Sequence, residues 1–272
     1  MITTDADSLA RHLKEDLGIA PDDLVFLFSG VWGLGKLKNG LDDITEAFRR
    51  TIPDGLLMIP TFSYSWCAQE PYDPRATPCP DMGVYPNTVF KQPGFVRTGN
   101  PNFSVAALRT AKNGALVDEL FDVDDTCFGE HSVFGNVVRR SRTRGAHILL
   151  LGGAFKDCLF RCTFIHYTQQ KIGVPHRYEK AFKDPAGLPR TVTQLVRFLS
   201  KDEYVAVRGK DPEFARFPAE EDFAPFAAEL DCRGFLLRKP FAFYESRMTS
   251  VAACVDVFEE KLRANPFYCL KR

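Results

Sequence analysis

Between residues 24 and 62 the chain spells out a strand, a glycine-rich turn, an amphipathic helix and a second strand. LVFLFS at 24–29 is an unbroken apolar run, short enough for a buried strand. GVWGLGKLKNG follows and supplies four glycines for a tight turn, and Leu41, Ile44 and Phe48 then recur at helical spacing. LLMIPTF at 56–62 closes the unit. Apolar runs without alternation belong to strands covered on both faces, so a βαβ unit of this kind predicts a parallel or mixed sheet between helices. AHILLLGG at 146–153 is the clearest further strand of that type. The fold class that follows is α/β, with a central mixed, largely parallel sheet flanked by helices.

Other elements are read around this frame. Leu9, Leu13 and Leu17 follow the polar start at Thr4 and Asp5 and predict an opening helix. FSVAAL (103–108) reads as a strand, GALVDEL (114–120) and SVFGNVVRR (132–140) as helices, and residues 162–171 as a helix leaving the AHILLLGG strand. TVTQLVRFL, EYVAVRG and GFLLRKPFAFY predict a β-containing C-terminal region, before a last helix with Val255, Phe258 and Leu262 on one face. The segment from Ser63 to Gly99 is dominated by turn formers and is expected to wrap over the sheet. No low-complexity linker divides the chain, so residues 1–272 are expected to form a single domain.

Charge and cysteine content exclude several functions. Lysine plus arginine and aspartate plus glutamate both number 35, so no global field attracts nucleic acid or an anionic membrane. No run reaches the 18 apolar residues of a membrane span, and the start lacks a signal-peptide pattern. A cytoplasmic monomer or homodimer is expected. The eight cysteines are too dilute for a disulfide scaffold. Cys158 and Cys162 lack a second pair at zinc spacing, so no metal site is expected.

Chemistry is expected where strands end. His166, on the helix after AHILLLGG, is the candidate general base, since neutral imidazole accepts a proton near pH 7 once another group fixes its tautomer. Thr163, Gln169 and Gln170 stand at i−3, i+3 and i+4 and can bond the ring or a substrate. Glu70 and Asp73 bracket Pro71 and Tyr72 in the loop after LLMIPTF, where a carboxylate can orient the imidazole. Gly30, Gly33 and Gly35, with Lys36 and Lys38, can form an anion-receiving turn, although G-x-x-G-x-G is neither a P-loop nor the dinucleotide fingerprint. His176 lies beside Arg177, Tyr178 and Lys180, a polar-aromatic stretch suited to substrate or phosphate. His131 precedes a helix that Ser132 can cap, while His12 and His147 read as structural. No G-x-S-x-G elbow is present.

Taken together, LMIPTFSYSWCAQEPYDPRATP, GNPNFSVAAL, FGEHSVFGNVVRR, ILLLGGAFKDCLFRCTFIHYTQQ and GVPHRYEKAF resemble the aminoglycoside N(3)-acetyltransferase family, in family order and across most of the chain. The resemblance implies the antibiotic N-acetyltransferase fold, with acetyl-CoA or another acyl-CoA as cosubstrate. It implies His166 as base with Glu70 in support, and cosubstrate contacts at Ser29, Gly30, Val31, Gly33, Lys36, Thr61 and Ser63. Acceptor contacts fall to Tyr64, Asp73, Gln169, Gln170, His176 and Arg177. The implied reaction is direct attack of a small-molecule amine on the thioester in a ternary complex, without an acyl-cysteine, and with amides or hydroxyls near Ser29, Thr61 and Ser63 stabilising the oxyanion. Two departures bear on the acceptor. Drug-modifying members carry histidine-serine-serine where this chain has Phe28-Ser29-Gly30, and H-x-x-E where this chain has HYTQQ. An amino sugar or related small amine is therefore the expected acceptor, with O-acylation of a hydroxyl left open. A true aminoglycoside 3-N-acetyltransferase conferring antibiotic resistance and a noncatalytic CoA- or carbohydrate-binding protein are the alternatives.

Overall fold

The computed structural model describes residues 2–153 and 163–271, with the side chains of Ser65 and Cys67 left aside. Cys158 and Cys162, and the start of the helix expected from residue 162, lie outside the described residues. In chain order the elements are β1 (Thr3–Thr4), α1 (Ala6–Arg11, continued by a π-helical turn His12–Asp16), β2 (Leu24–Ser29), β3 (Lys36–Leu37), α2 (Asp42–Thr51), β4 (Leu56–Pro60), α3 (Val84–Val89), β5 (Phe95–Arg97), β6 (Val105–Leu108), α4 (Gly114–Phe121), α5 (Val133–Arg140), β7 (Ala146–Leu151), α6 (Thr163–Ile172), β8 (Arg177–Lys183), β9 (Thr191–Arg197), α7 (Lys201–Arg208), α8 (Ala224–Cys232), β10 (Leu237–Phe241), β11 (Tyr244–Ser250) and α9 (Val251–Ala264).

Seven of the described strands form one mixed sheet in the order β10-β11-β7-β2-β4-β6-β5. Its centre is parallel, with β2 between β7 and β4, and every residue of β2 and β4 is buried. The unbroken apolar sequences of these strands follow from being covered on both faces. Parallel pairing stops at this trio: β6 and β5 extend one side, and β11 and β10 the other, by antiparallel pairing. Because the chain runs from β2 to β4 on one side and places β7 on the other, the sheet switches direction between β2 and β7. Ligands of open α/β sheets bind beyond the carboxyl ends of strands at such a point.

Two glycine loops pack against each other at the carboxyl ends of β2 and β7. A Cβ on Gly33 would lie 2.0 Å from the Gly152 carbonyl oxygen, and one on Gly152 would lie 2.2 Å from that of Gly30. Only bare backbone fits there. The β8–β9 hairpin stands apart from the large sheet and pairs over seven residues, from Arg177↔Arg197 to Lys183↔Thr191.

EYVAVRG is helical, not extended. Ser200 caps α7 by accepting from the Glu203 amide (3.1 Å), and Gly209 ends it in the left-handed conformation. The cap and stop outweigh the β-branched residues between them. Among the described residues, no helix is long and apolar enough to cross a membrane.

Candidate active site

A cavity of about 610 Å³ lies between the carboxyl side of the sheet and the β8–β9 hairpin, within the range of small-molecule sites. Phe62 and Tyr64 from the β4 exit, Phe103 before β6, His166 from α6, and Arg177, Lys180 and Arg197 from the hairpin are among its lining. α6 is held by Phe164 and Ile165, both fully buried, and by Lys171, which donates to Glu259 of α9 (2.8 Å). His166 is left half-buried at the cavity wall.

The partners of His166 fix the tautomer of its neutral ring. Its Nδ1 is 2.8 Å from Gln169 Oε1, and Gln169 Nε2 donates to Glu221 Oε1 at 2.5 Å. Glu221 also accepts from His176 Nε2 (3.0 Å), from Arg177 Nε (3.3 Å) and from Arg177 Nη2. An ionised carboxylate only accepts, so the Gln169 amide must turn its NH2 toward Glu221 and its oxygen toward the ring. That oxygen accepts in turn, so Nδ1 carries the hydrogen and the lone pair sits on Nε2. The ring is thus set as a proton acceptor.

Burial among the edges of Phe128 (5.4 Å between centroids) and Phe103 (6.3 Å) is the main cause pushing His166 down to about 4, with Arg177 and Arg197 adding to it and Glu221 and Gln169 opposing. Burial by itself would raise Glu221, but the hydrogen bond from His176 and the charge and bonds of Arg177 hold it well below the usual carboxylate range. Phe128 and Phe103 belong to an aromatic chain running through Phe134, Phe164 and Phe26 into the core. This wall gives some of the 24 phenylalanines a local task.

The structure disperses many of the residues singled out from sequence. Glu70 does not meet His166: it is exposed in a neighbouring cleft with Ser63, Asp81 and Pro78, which shares only Phe62 and Tyr64 with the main cavity. Asp73 is spent on its own turn, accepting from the Arg75 amide (2.8 Å). Gln169 is fully buried between His166 and Glu221, not turned to an acceptor. Gln170 points outward to Glu179. His176, 1% exposed, backs Glu221 from behind. Tyr64 and Arg177 do line the cavity.

The proposed cosubstrate contacts divide similarly. Arg97, buried and paired with no carboxylate among the described residues, donates to Thr61 Oγ1 (3.0 Å), Ser63 Oγ (2.6 Å), Ser104 Oγ (3.1 Å) and the Thr77 carbonyl (2.6 Å), and stacks on Phe90 and Tyr72. The hydroxyls of Thr61 and Ser63 are therefore engaged in tying the proline-rich loop to β5. Gly30 and Gly33 pack on Gly152, with Gly33 also accepting from the Phe243 amide (3.1 Å), and Val31 is half-buried beside them. Lys36 is exposed on β3, paired with Thr3. Ser29 differs: its hydroxyl is buried and unpartnered among the described residues, as is that of Thr163 at the start of α6.

Glu221 and Arg197 were not legible as site residues. PAEEDF offers three adjacent acids in a polar stretch with no spacing relation to His166. Its place depends on the bridge Glu221↔Leu270 and on Asp222 N donating to Cys269 O (2.7 Å), both long-range.

The site therefore holds a histidine whose neutral ring presents Nε2 as a proton acceptor, at the wall of a cavity of small-molecule size. A family model for aminoglycoside 3-N-acetyltransferases matches residues 27–263, and the chain belongs to that family. It is an acyl-CoA-dependent N-acyltransferase with acetyl-CoA as cosubstrate and a small-molecule amine as acceptor. A search of curated proteins found no match. Among solved structures, the aminoglycoside acetyltransferase AAC(3)-IVa apoenzyme is similar over all of this chain and 93% of its own, at 19% identity and a TM-score of 0.75. AAC-IIIb in binary complex with CoASH is 23% identical over 97% of both chains, with a TM-score of 0.69. AAC-VIa bound to sisomicin is 18% identical over 97% of this chain and 98% of its own, with a TM-score of 0.70.

Proposed function

We propose that the enzyme moves the acetyl group of acetyl-CoA onto the amine of an amino sugar or a related small molecule that carries few positive charges, by direct attack in a ternary complex with His166 as general base. The observation that carries the base assignment is the orientation of His166, with Nδ1 held by Gln169 and the ring at the cavity wall. The thioester supplies an activated acyl carbon. As the amine nitrogen bonds to that carbon it turns positive and its N–H becomes far more acidic than in the free amine, so a weak base suffices to take the proton. His166 Nε2 accepts it, and the imidazolium returns it to the departing thiolate as the C–S bond breaks. Thioester and amine thus become amide and thiol. Alignment of two substrates beside one base supplies the rest of the rate.

The charge of the cavity bears on both substrates. Its cations are Arg177, Lys180 and Arg197, against the carboxylates Glu203 and Glu221. Both carboxylates are engaged: Glu221 as above, and Glu203 by the Tyr178 hydroxyl (2.5 Å), the Leu199 amide (2.7 Å) and Lys180 (3.7 Å). Among the described residues Arg197 donates to the Ala219 carbonyl alone (3.3 Å), and nearby Glu220 is already bridged by Lys271. Such a lining suits the phosphates of the cosubstrate and repels a polycation. Arg197, and Lys180 on leaving Glu203, would hold phosphate, and Tyr178 and Phe182 apolar or ring surface. An anion beside Arg197 would also offset one charge that depresses His166, raising its basicity when substrates are in place.

The neighbouring cleft supports a second reading, an aminoglycoside 3-N-acetyltransferase. Glu70 and Asp81 line it with no cation, and it meets the main cavity at Phe62 and Tyr64.

Thiol release from acetyl-CoA distinguishes the two. Amino sugars with and without a phosphate are compared with polycationic aminoglycosides, in the intact enzyme and in Arg197→Ala and Glu70→Gln. The first reading expects kcat/KM at least about tenfold higher for the less cationic acceptors, roughly the effect of one charged contact. Aminoglycosides turned over faster, with the rate cut by Glu70→Gln and not by Arg197→Ala, would replace it by the second.

A further inference from the structure

We infer that Glu221 is a positioning residue for acyl transfer that acts on His166 through the amide of Gln169. This rests on the assignment of His166 as base. A carboxylate in direct contact with Nδ1 would fix the tautomer by itself. Gln169 has no charge, and an amide free to turn could offer either its oxygen or its NH2 to the ring, leaving the lone pair on Nε2 or on Nδ1. Glu221 removes that choice, because it can receive only the NH2 end.

Glu221 must stay ionised to do this, and its surroundings see to it. Arg177 supplies a charge and two donors, and His176 a third donor, its Nδ1 remaining buried without a partner among the described residues. With Gln169, four hydrogen bonds converge on one carboxylate that is 7% exposed. The amide passes orientation to the ring and no proton, so the negative charge stands one group away from the imidazole. That distance fits a ring kept unprotonated until the reaction supplies a proton.

A purely structural role is the competing account, since the same carboxylate joins α6, β8 and the stretch before α8. Three variants separate the two: Glu221→Gln, Gln169→Met and the double substitution. Each is assayed for kcat and KM with acetyl-CoA and an acceptor turned over by the intact enzyme. In parallel, 15N spectra identify which ring nitrogen of His166 is protonated, with the signals assigned by their loss in His166→Ala. Positioning through Gln169 expects each single substitution to lower kcat about ten- to hundredfold, with KM within about twofold. The double variant falls no further than Gln169→Met alone. The spectrum changes from a single Nδ1–H form to a mixture of both tautomers. An equal further loss from Glu221→Gln in the Gln169→Met background, or a single Nδ1–H form persisting in both single variants, overturns the inference.

The arms also separate this inference from the reading beneath it. The spectra need no acceptor. Full turnover by His166→Ala would remove the base assignment, whereas loss in that variant with unchanged kcat and tautomer in Glu221→Gln would remove only the relay. Gln169→Met leaves Glu221 with Arg177 and His176, so it carries the spectral test alone should Glu221→Gln fail to fold.

Discussion

Two histidines of this chain invite comparison. His12 follows α1 with Nδ1 at 2.7 Å from Asp16 and Nε2 at 2.9 Å from Ser246 Oγ, and it stacks on Phe241 at 4.4 Å. Residue types and distances are those of a nucleophilic triad. Among the described residues His166 has a neutral amide as its hydrogen-bond partner. Yet the His12 arrangement is inside out: Asp16 has 55% of its side chain exposed, while Ser246 is fully buried. A nucleophile must be reachable and its carboxylate shielded, and here both conditions are reversed. Access to a cavity marks His166, and not His12, as the candidate base, and hydrogen-bond geometry alone does not.

Substitutions at the two sites should fail in opposite ways. His166→Ala is expected to give the largest effect, a loss of about a thousandfold in kcat/KM, with acetyl-CoA binding retained by calorimetry. His12→Leu is expected to cost about 2–3 kcal/mol of stability in urea unfolding, from two lost hydrogen bonds and a hydroxyl left buried, with kcat per folded molecule unchanged. Activity lost in folded His12→Leu, or kept in His166→Ala, would break the comparison.

The same contrast shows what sequence can and cannot reveal. The β2–α2–β4 unit and β7 were legible because strands buried on both faces write apolar runs that little else produces. The place of His166 at the cavity wall was legible because it follows such a strand on a helix. α7 was missed because EYVAVRG carries β-branched residues, while its signals, Ser200 as cap and Gly209 as stop, lie at or beyond its edges. Glu70 was placed beside His166 on loop composition, but that loop is pinned to β5 by Arg97, and nothing in its own sequence states where it is pinned. Gln169 was seen as a substitute for a charge, whereas Glu221, which restores the charge one group farther out, arrives from a segment ordered by long-range bonds, among them its pairing with Leu270. Helix and strand periods encode local structure. A relay assembled from α6, β8 and an irregular stretch leaves no period to read.

Ser246→Ala is a milder test of the inverted arrangement. It removes one hydrogen bond to His12 and keeps the stack on Phe241, so a loss of about 1 kcal/mol in urea unfolding is expected. Turnover should be unaffected. A loss of activity at constant stability would mean that Ser246 is reached by substrate after all, and the distinction drawn from burial would fail.

The smallest expected effect lies in how stability responds to acid. His166 is pushed down to about 4, first by burial and then by Arg177, and His12 is shifted downward as well, because enclosure outweighs the pull of Asp16. In the unfolded chain both return to about 6.5. As pH falls below that value the unfolded chain takes up protons that the folded chain still refuses, so each ring contributes a loss of stability, for His166 across the window from about 6.5 to about 4. Glu221, held low by His176 and Arg177 against its burial, adds a loss of the same sign at lower pH, when its unfolded form protonates first. Urea midpoints at pH 7 and pH 5 isolate the histidines. The drop between them is expected to be smaller in His166→Ala than in the intact protein, and smaller in His12→Leu for the same reason, although only the first substitution changes turnover. An undiminished drop in His166→Ala would mean that the site does not hold its ring neutral, and a lone pair available on Nε2 throughout the working range could no longer be assigned to it.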